Sequence, residues 1–236
     1  MTRQRHFVKR PVRLCLLQGR MCLVRKTGKQ RWDGCAMVVR IFASPTDYTL
    51  DASRFSKDDV LIGVDYGAYY ALKSGIDLDL VLGDFDSTSS EETTFVKAHA
   101  RVIKNFSTEK DSTDSALAVK EALRYDADEI IIYGGIGNRF DHSFANMMLL
   151  KLGPITCVTD SAEMFMLDPG IYDLHNDFPY ISFFAIEPVK RLSLRGFKFD
   201  LEAYDLDVDD PLCISNQGAG RVQFDRGLLL VIKSQD

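Results

Sequence analysis

The chain has no Cys-x-x-Cys pair, and its five cysteines among 236 residues make an odd number. Zinc sites and disulfide frameworks are thereby disfavoured, and a reduced, cytoplasmic protein is expected. No apolar stretch approaches the ~20 residues that span a bilayer, which excludes a transmembrane protein. Nothing repeats internally, and no segment is of low complexity. The Walker A ending Gly-Lys-Ser/Thr is absent, as is the dinucleotide order G-x-G-x-x-G. What remains is ordinary for a globular chain: 46% hydrophobic, 11% aromatic and 27% charged positions. That is enough apolar material to offset chain ordering, in one large domain or two modest ones.

Acids are nearly missing from residues 1–36, which hold ten Lys/Arg against Asp33 alone, net +9. The other 200 residues hold 19 bases and 33 acids, net −14. A basic arm can bind nucleic acid or anionic membrane. This one has no heptad and no arginine-glycine repeat, and its only aromatics are Phe7 and Trp32. Apolar residues 14–17 are too few for a secretory signal and are flanked by further basic residues. The first clear strand pattern begins at Met37, which could itself serve as a start, so residues 1–36 read as a non-essential basic extension. The acidic remainder opposes polyanion binding, because phosphate backbones demand positive surface. Neither nucleic acid nor membrane is expected as a partner.

From Met37 to about Asp160, short β-branched runs alternate with helical patterns. Residues 38–43, 60–64, 78–82, 101–106, 129–133 and 155–159 are expected as strands. Residues 68–74, 90–98, 112–125 and 143–152 are expected as helices. In the last, Phe140, Phe144, Met147 and Met148 follow i, i+4, i+7, i+8, the spacing of one buried stripe. Such alternation predicts a mostly parallel sheet covered by helices. After Pro169-Gly170 the character changes to short strands with close turns, at 180–186, 192–194, 198–201, 212–215, 221–224 and 228–233. The expectation is α/β for residues 37–168 and an all-β sandwich or barrel for residues 169–236.

In open α/β sheets, ligands bind beyond the carboxyl ends of the strands. Three polar clusters fall there. Gly83-Asp84-Phe85-Asp86-Ser87 follows a strand, and alternation puts Asp84 and Asp86 on one side. Two converging carboxylates suit Mg²⁺, which removes their repulsion; a turn with Asp84 and Ser87 capping the next helix fits equally. Glu109-Lys110-Asp111-Ser112-Thr113-Asp114 opens a helix. Asp111 and Asp114 read as cap and dipole partner, or Asp114 faces the same crevice with Lys110 offering charge to a phosphate. Gly134-Gly135-Ile136-Gly137-Asn138-Arg139-Phe140-Asp141-His142 lets backbone N–H groups approach a polyphosphate, with Arg139 able to fork onto its oxygens. A plain glycine turn capped by Asp141 is the alternative. Asp65, after another strand, and Ser215-Asn216-Gln217, in the β unit, are weaker signals that read locally as a cap and a turn.

The order of these segments resembles the thiamine pyrophosphokinase (thiamine diphosphokinase) family. The family pattern D-x-G-A, G-D-F-D-S, K-D-x-T-D, G-G-x-G-x-R-x-D-H and S-N is matched by Asp65-Tyr66-Gly67-Ala68, Gly83 through Ser87, Lys110 through Asp114, Gly134 through His142, and Ser215-Asn216. The resemblance covers roughly residues 37–236. It implies transfer of the diphosphoryl group of ATP to the hydroxyl of thiamine, giving thiamine diphosphate and AMP. It also implies Mg²⁺ on Asp84, Asp86 and Asp114, polyphosphate contacts from Lys110 and Arg139, and a crevice lined by Asp65, Asp141 and His142. Ser215 and Asn216 would help form a thiamine pocket at a homodimer interface. Asp86 or Asp114 could accept the alcohol proton.

Four departures stand out. Ala43-Ser44-Pro45 occupies the place of a glycine pair, Asn138 that of a glycine and Gln217 that of an acid; Trp32 lies outside the matching region, so an aromatic partner for thiamine must be Phe or Tyr. Two other readings compete: a Mg²⁺-dependent nucleotide-sugar transferase using the D-x-D, and a catalytically degenerate thiamine- or nucleotide-binding protein.

Overall fold

A computed structural model describes residues 13–17, 20–24, 37–86, 88–104, 112–137 and 139–236. Lys110 therefore lies outside the described residues, as does most of the basic extension. Two strands nevertheless precede Met37: β1 (Arg13–Leu17) pairs antiparallel with β2 (Arg20–Val24), in a two-stranded sheet apart from the main one.

The main sheet begins with six parallel strands: β3 (Val38–Phe42), β4 (Val60–Val64), β5 (Leu80–Leu82), β6 (Ile103–Lys104), β7 (Glu129–Tyr133) and β8 (Ile155–Val158). Their spatial order is β6-β5-β4-β3-β7-β8, so the winding direction reverses between β3 and β7. Helices α1 (Tyr66–Lys73), α2 (Ser90–His99), α3 (Asp114–Ala122) and α4 (Phe140–Leu149) connect them. Strand β3 is central and apolar on both faces, with Val39, Ile41 and Phe42 fully buried. Its one charge, Arg40, is held by Asp59 (2.6 Å) and the Tyr133 hydroxyl (2.7 Å), and stacks 5.1 Å from the Phe55 ring centre. A buried charge survives only with such partners. Helix α2 starts with a capping box: Ser89 Oγ accepts from the Glu92 N–H, and the Glu92 carboxylate accepts from the Ser89 N–H.

Beyond β8 the sheet continues antiparallel through β9 (Ala162–Leu167), β14 (Arg226–Ser234) and the long β11 (Tyr180–Arg195). Register shifts between Ala185 and Lys190 let β11 turn a corner. Its far half pairs with β12 (Leu201–Leu206) and β13 (Gly220–Phe224), and β13 carries the edge strand β10 (Gly170–Leu174). The two layers enclose a second core including Phe183, Val222 and Phe224.

The expected fold class, a parallel α/β unit followed by an antiparallel β-sandwich, is the fold observed. Within it, several elements differ. Strand β9 went unread because Met164 and Met166 enter the first core while Phe165 and Leu167 enter the second. A strand buried on both faces shows no alternation. Strand β10 also lies outside the expected set. Residues 180–186 and 192–194 belong to one strand, and the strand expected at 198–201 forms at Leu201–Leu206 instead. Residues 212–215 form a turn. The stripe expected on α4 holds only in its second half: Met147 and Met148 pack against the first core, whereas Phe140 and Phe144 are 85% and 61% exposed. The helix instead buries Ser143 and Asn146, with Leu150 one turn on, because its inner face meets the polar backbone of a glycine loop. No helix among the described residues is long and apolar enough to cross a membrane.

Candidate active site

A cleft of about 470 Å³ opens beyond the carboxyl ends of β3, β4, β5 and β7, where the winding direction reverses. Its wall comprises Ser44 and Pro45 after β3, Val64 and Asp65 at the end of β4, Asp86 after β5, Thr113, Asp114 and Ser115 at the start of α3, and Gly135, Gly137, Arg139, His142 and Ser143 around the start of α4. The reversal parts the connections on either side and leaves room for a ligand there.

Asp65 and Asp114 of that wall, with Asp84 beside them, each present a carboxylate oxygen, all within 4.8 Å of one another. Asp65 sits at φ +47° immediately before α1, and its Oδ1 is buried with no hydrogen-bond partner among the described residues. Burial first, then the charges of Asp114, Asp84 and Asp86, push its pKa up to about 7, against the pull of the Phe85 N–H. Three acids this close repel unless one is protonated or a cation lies among them. An all-oxygen set with an orphaned buried oxygen fits a hard divalent cation. Gly83 is required here for a steric reason: at φ +143°, a Cβ would fall on the Asp65 Oδ1. Phe85, at φ +61°, turns into the core and is 6% exposed.

Asp86, expected with Asp84 on the ion, stands exposed at the rim outside the trio, its N–H 3.3 Å from Asp84 Oδ1. Asp65, read locally as a cap and put in the crevice only by the resemblance, is within the trio. Arg139 makes a forked contact to Asp141, 2.6 and 3.3 Å, which holds the Asp141 carboxyl below its usual range. His142 lines the cleft. Ser215 and Asn216 are absent from that wall. The buried Asn216 amide is spent within the fold, donating to the Phe199 carbonyl (2.7 Å) and accepting from the Phe199 and Gln217 N–H groups (both 2.9 Å). It thereby holds Phe199, which is 59% exposed. Phe199 was not singled out in the sequence, because a lone Phe between Lys198 and Asp200 looks like any strand residue.

Pro45 fills the space beneath Gly137, where a Cβ would collide with its ring, and a Cβ on Gly134 would strike the Pro45 and Ala43 carbonyls. The loop after β3, which lacks the glycine pair, thus packs directly against the glycine loop after β7. Ser143, also missed from the sequence, accepts from the Gly137 N–H (3.0 Å) and lies within donating reach of the Gly137 and Arg139 carbonyls.

Two family models match the chain: "Thiamin pyrophosphokinase, catalytic domain" over residues 52–155 and "Thiamin pyrophosphokinase, vitamin B1 binding domain" over residues 171–229. A thiamine pyrophosphokinase of Bacillus subtilis is 33% identical over 208 residues, spanning 83% of this chain and 97% of that protein. A crystal structure of thiamine pyrophosphokinase from Bacillus subtilis superposes with TM-score 0.78 at 32% identity, covering 85% of this chain and 99% of the other. The structure of a thiamin pyrophosphokinase family protein from Enterococcus faecalis gives TM-score 0.76 at 30% identity, covering 86% and 100%.

Proposed function

The chain belongs to the thiamine pyrophosphokinase family, and from that premise we propose that it transfers the diphosphoryl group of ATP to the hydroxyl of thiamine, giving thiamine diphosphate and AMP. The observation that carries this reading is the Asp65, Asp84 and Asp114 trio with its orphaned oxygen, set beside a glycine loop where the winding of the sheet reverses. The sugar-transferase alternative explains only the D-x-D and is not favoured.

In the proposed reaction the thiamine hydroxyl oxygen attacks the β-phosphorus, the α,β-bridging bond breaks, and AMP leaves with that electron pair. Asp65, Asp84 and Asp114 would hold Mg²⁺, which supplies positive charge where the polyphosphate gains negative charge. Arg139 adds a fork to the phosphates once it exchanges Asp141 for them. Asp86, exposed and outside the trio, would take the alcohol proton. The acidic cleft also attracts cationic thiamine. Lys110 is assigned to the polyphosphate by resemblance.

We assign residues 37–168 to nucleotide and metal, residues 169–236 to thiamine, and residues 1–36 to a dispensable extension; the separate ranges of the two family models support the division. Thiamine would stack on Phe199, held by Asn216 next to Ser215. Because these residues do not line the cleft of their own chain, a second copy is proposed to complete it. The exposed Phe140 and Phe144 beside Arg139 and His142 offer a face for that copy, and Phe199, Leu212 and Ile214 offer the complementary one. The free, buried thiols of Cys157 and Cys213 suit a reducing cytoplasm.

The test is AMP release by the purified protein with ATP, Mg²⁺ and thiamine. Thiamine-dependent AMP with matching thiamine diphosphate is expected. ADP, or no turnover with thiamine still bound, would overturn the assignment.

A further inference from the structure

The glycine loop after β7 shows an uneven use of its peptide groups. The Gly134 N–H donates to the Val158 carbonyl (2.9 Å) and the Gly137 N–H to Ser143 Oγ (3.0 Å), so both are committed inside the fold. The Gly135 and Ile136 N–H groups have no partner among the described residues, although Gly135 is buried. Buried N–H groups are rarely left unmatched, and here no described residue supplies the acceptor.

The two carbonyls preceding them are pinned. Cys157, 2% exposed on β8, directs its thiol to the Gly134 carbonyl (3.0 Å), and Asn146, 5% exposed on α4, donates its amide to the Gly135 carbonyl (2.6 Å). In a trans peptide the carbonyl of one residue and the N–H of the next point in opposite directions. Drawing the carbonyls of Gly134 and Gly135 toward β8 and α4 therefore turns the N–H groups of Gly135 and Ile136 away from the core, on the side where Gly135 lines the cleft. Positive φ at both glycines, +77° and +76°, permits this double turn, and the Asn146 amide would lie only 3.1 Å from a Cβ on Gly135. Successive outward N–H groups form an anion-binding concavity.

With the glycine loop read, as above, as the polyphosphate's seat, we propose that Cys157 and Asn146 are positioning residues that aim its Gly135 and Ile136 N–H groups at the nucleotide. The inference rests on the ATP-dependent reading above but names the donors and what orients them.

The probe is the α,β-methylene analogue of ATP with Mg²⁺, which cannot be split at the α,β bond. In the full-length protein, the Gly135 and Ile136 amide proton resonances should move downfield on saturation, while those of Gly134 and Gly137 move far less. Asn146→Leu, of similar size but without the donor, and Cys157→Ala should each weaken analogue binding about tenfold, with thiamine KM nearly unchanged. Cys157→Ser, which restores a donor, should recover the affinity. A purely structural role would instead lower the melting temperature without separating nucleotide from thiamine, and serine would give no recovery. Unmoved Gly135 and Ile136 resonances, or wild-type analogue affinity in both donor-less variants, would overturn the proposal and leave the thiamine reaction standing. Normal analogue shifts without thiamine-dependent AMP would overturn the reaction and support the donors. Failure of the wild-type protein to bind the analogue would overturn both.

Discussion

At the scale of single residues, the chemistry depends on carboxylates held closer together than water alone would allow. Asp65→Asn, Asp84→Asn and Asp114→Asn should each lower both Mg²⁺ affinity and turnover, turnover by about 100-fold or more. Asp86→Asn should lower turnover comparably, by about 100-fold, while leaving Mg²⁺ affinity near normal. Calorimetric titration with Mg²⁺ beside steady-state AMP release separates the two behaviours. Gly83→Ala should mimic loss of Asp65, since its methyl group needs the space of that carboxylate. The raised Asp65 pKa also sets a pH dependence. Between the ordinary value of 3.8 and about 7, the folded metal-free protein binds the Asp65 proton more tightly than the unfolded chain does. Stability from this group is therefore present below the ordinary value and lost as pH rises through about 7. Melting temperatures of metal-free protein should fall across that interval, and Asp65→Asn should remove this part of the slope. Asp84 and Asp86 were legible as converging acids from their spacing. The place of Asp65 in the trio was not, because the β4–α1 connection meets the β5 connection only in space, and its sequence reads as a cap.

At the scale of elements, β9, β14 and the first half of β11 serve two cores at once. Phe183 on β11 is fully buried in the second core, while Phe184 packs against the first. Phe183→Ala should cost about 3–5 kcal/mol in denaturant unfolding, by lost transfer energy and the cavity left behind. Parallel strands β3, β4, β7 and β8 could be read almost residue for residue, since β-branched runs between turn residues have little other use. Helix α4 could not. Of its apolar spacing Met147 and Met148 meet the core, but its first turns direct inward Ser143 and Asn146, which bind the carbonyls of the glycine loop. Hydrogen-bond demand decided that position, because each unmatched buried peptide group costs about 1–3 kcal/mol.

At the scale of the whole molecule, the cleft lacks Ser215, Asn216 and Phe199, and the proposal closes it with a second copy. Phe140→Ser combined with Phe144→Ser should convert a dimer to monomers in light scattering. Thiamine KM should rise, and the melting temperature at matched monomer concentration should change only through lost assembly. A dimer indifferent to this change would send the interface elsewhere. Removal of residues 1–36 should leave turnover within about twofold, since every residue of the cleft wall lies after Met37.

The order of acids, glycines and strand-forming runs along the chain determined by itself the α/β-then-β arrangement, the family resemblance and the chemistry to expect, because local propensity and motif order are one-dimensional. Tertiary structure alone decided which acids share an ion-sized space, which face of α4 turns inward and which peptide N–H groups remain for a ligand. Each of those depends on distances between segments far apart in the chain, set by sheet order and packing rather than by any neighbouring residue.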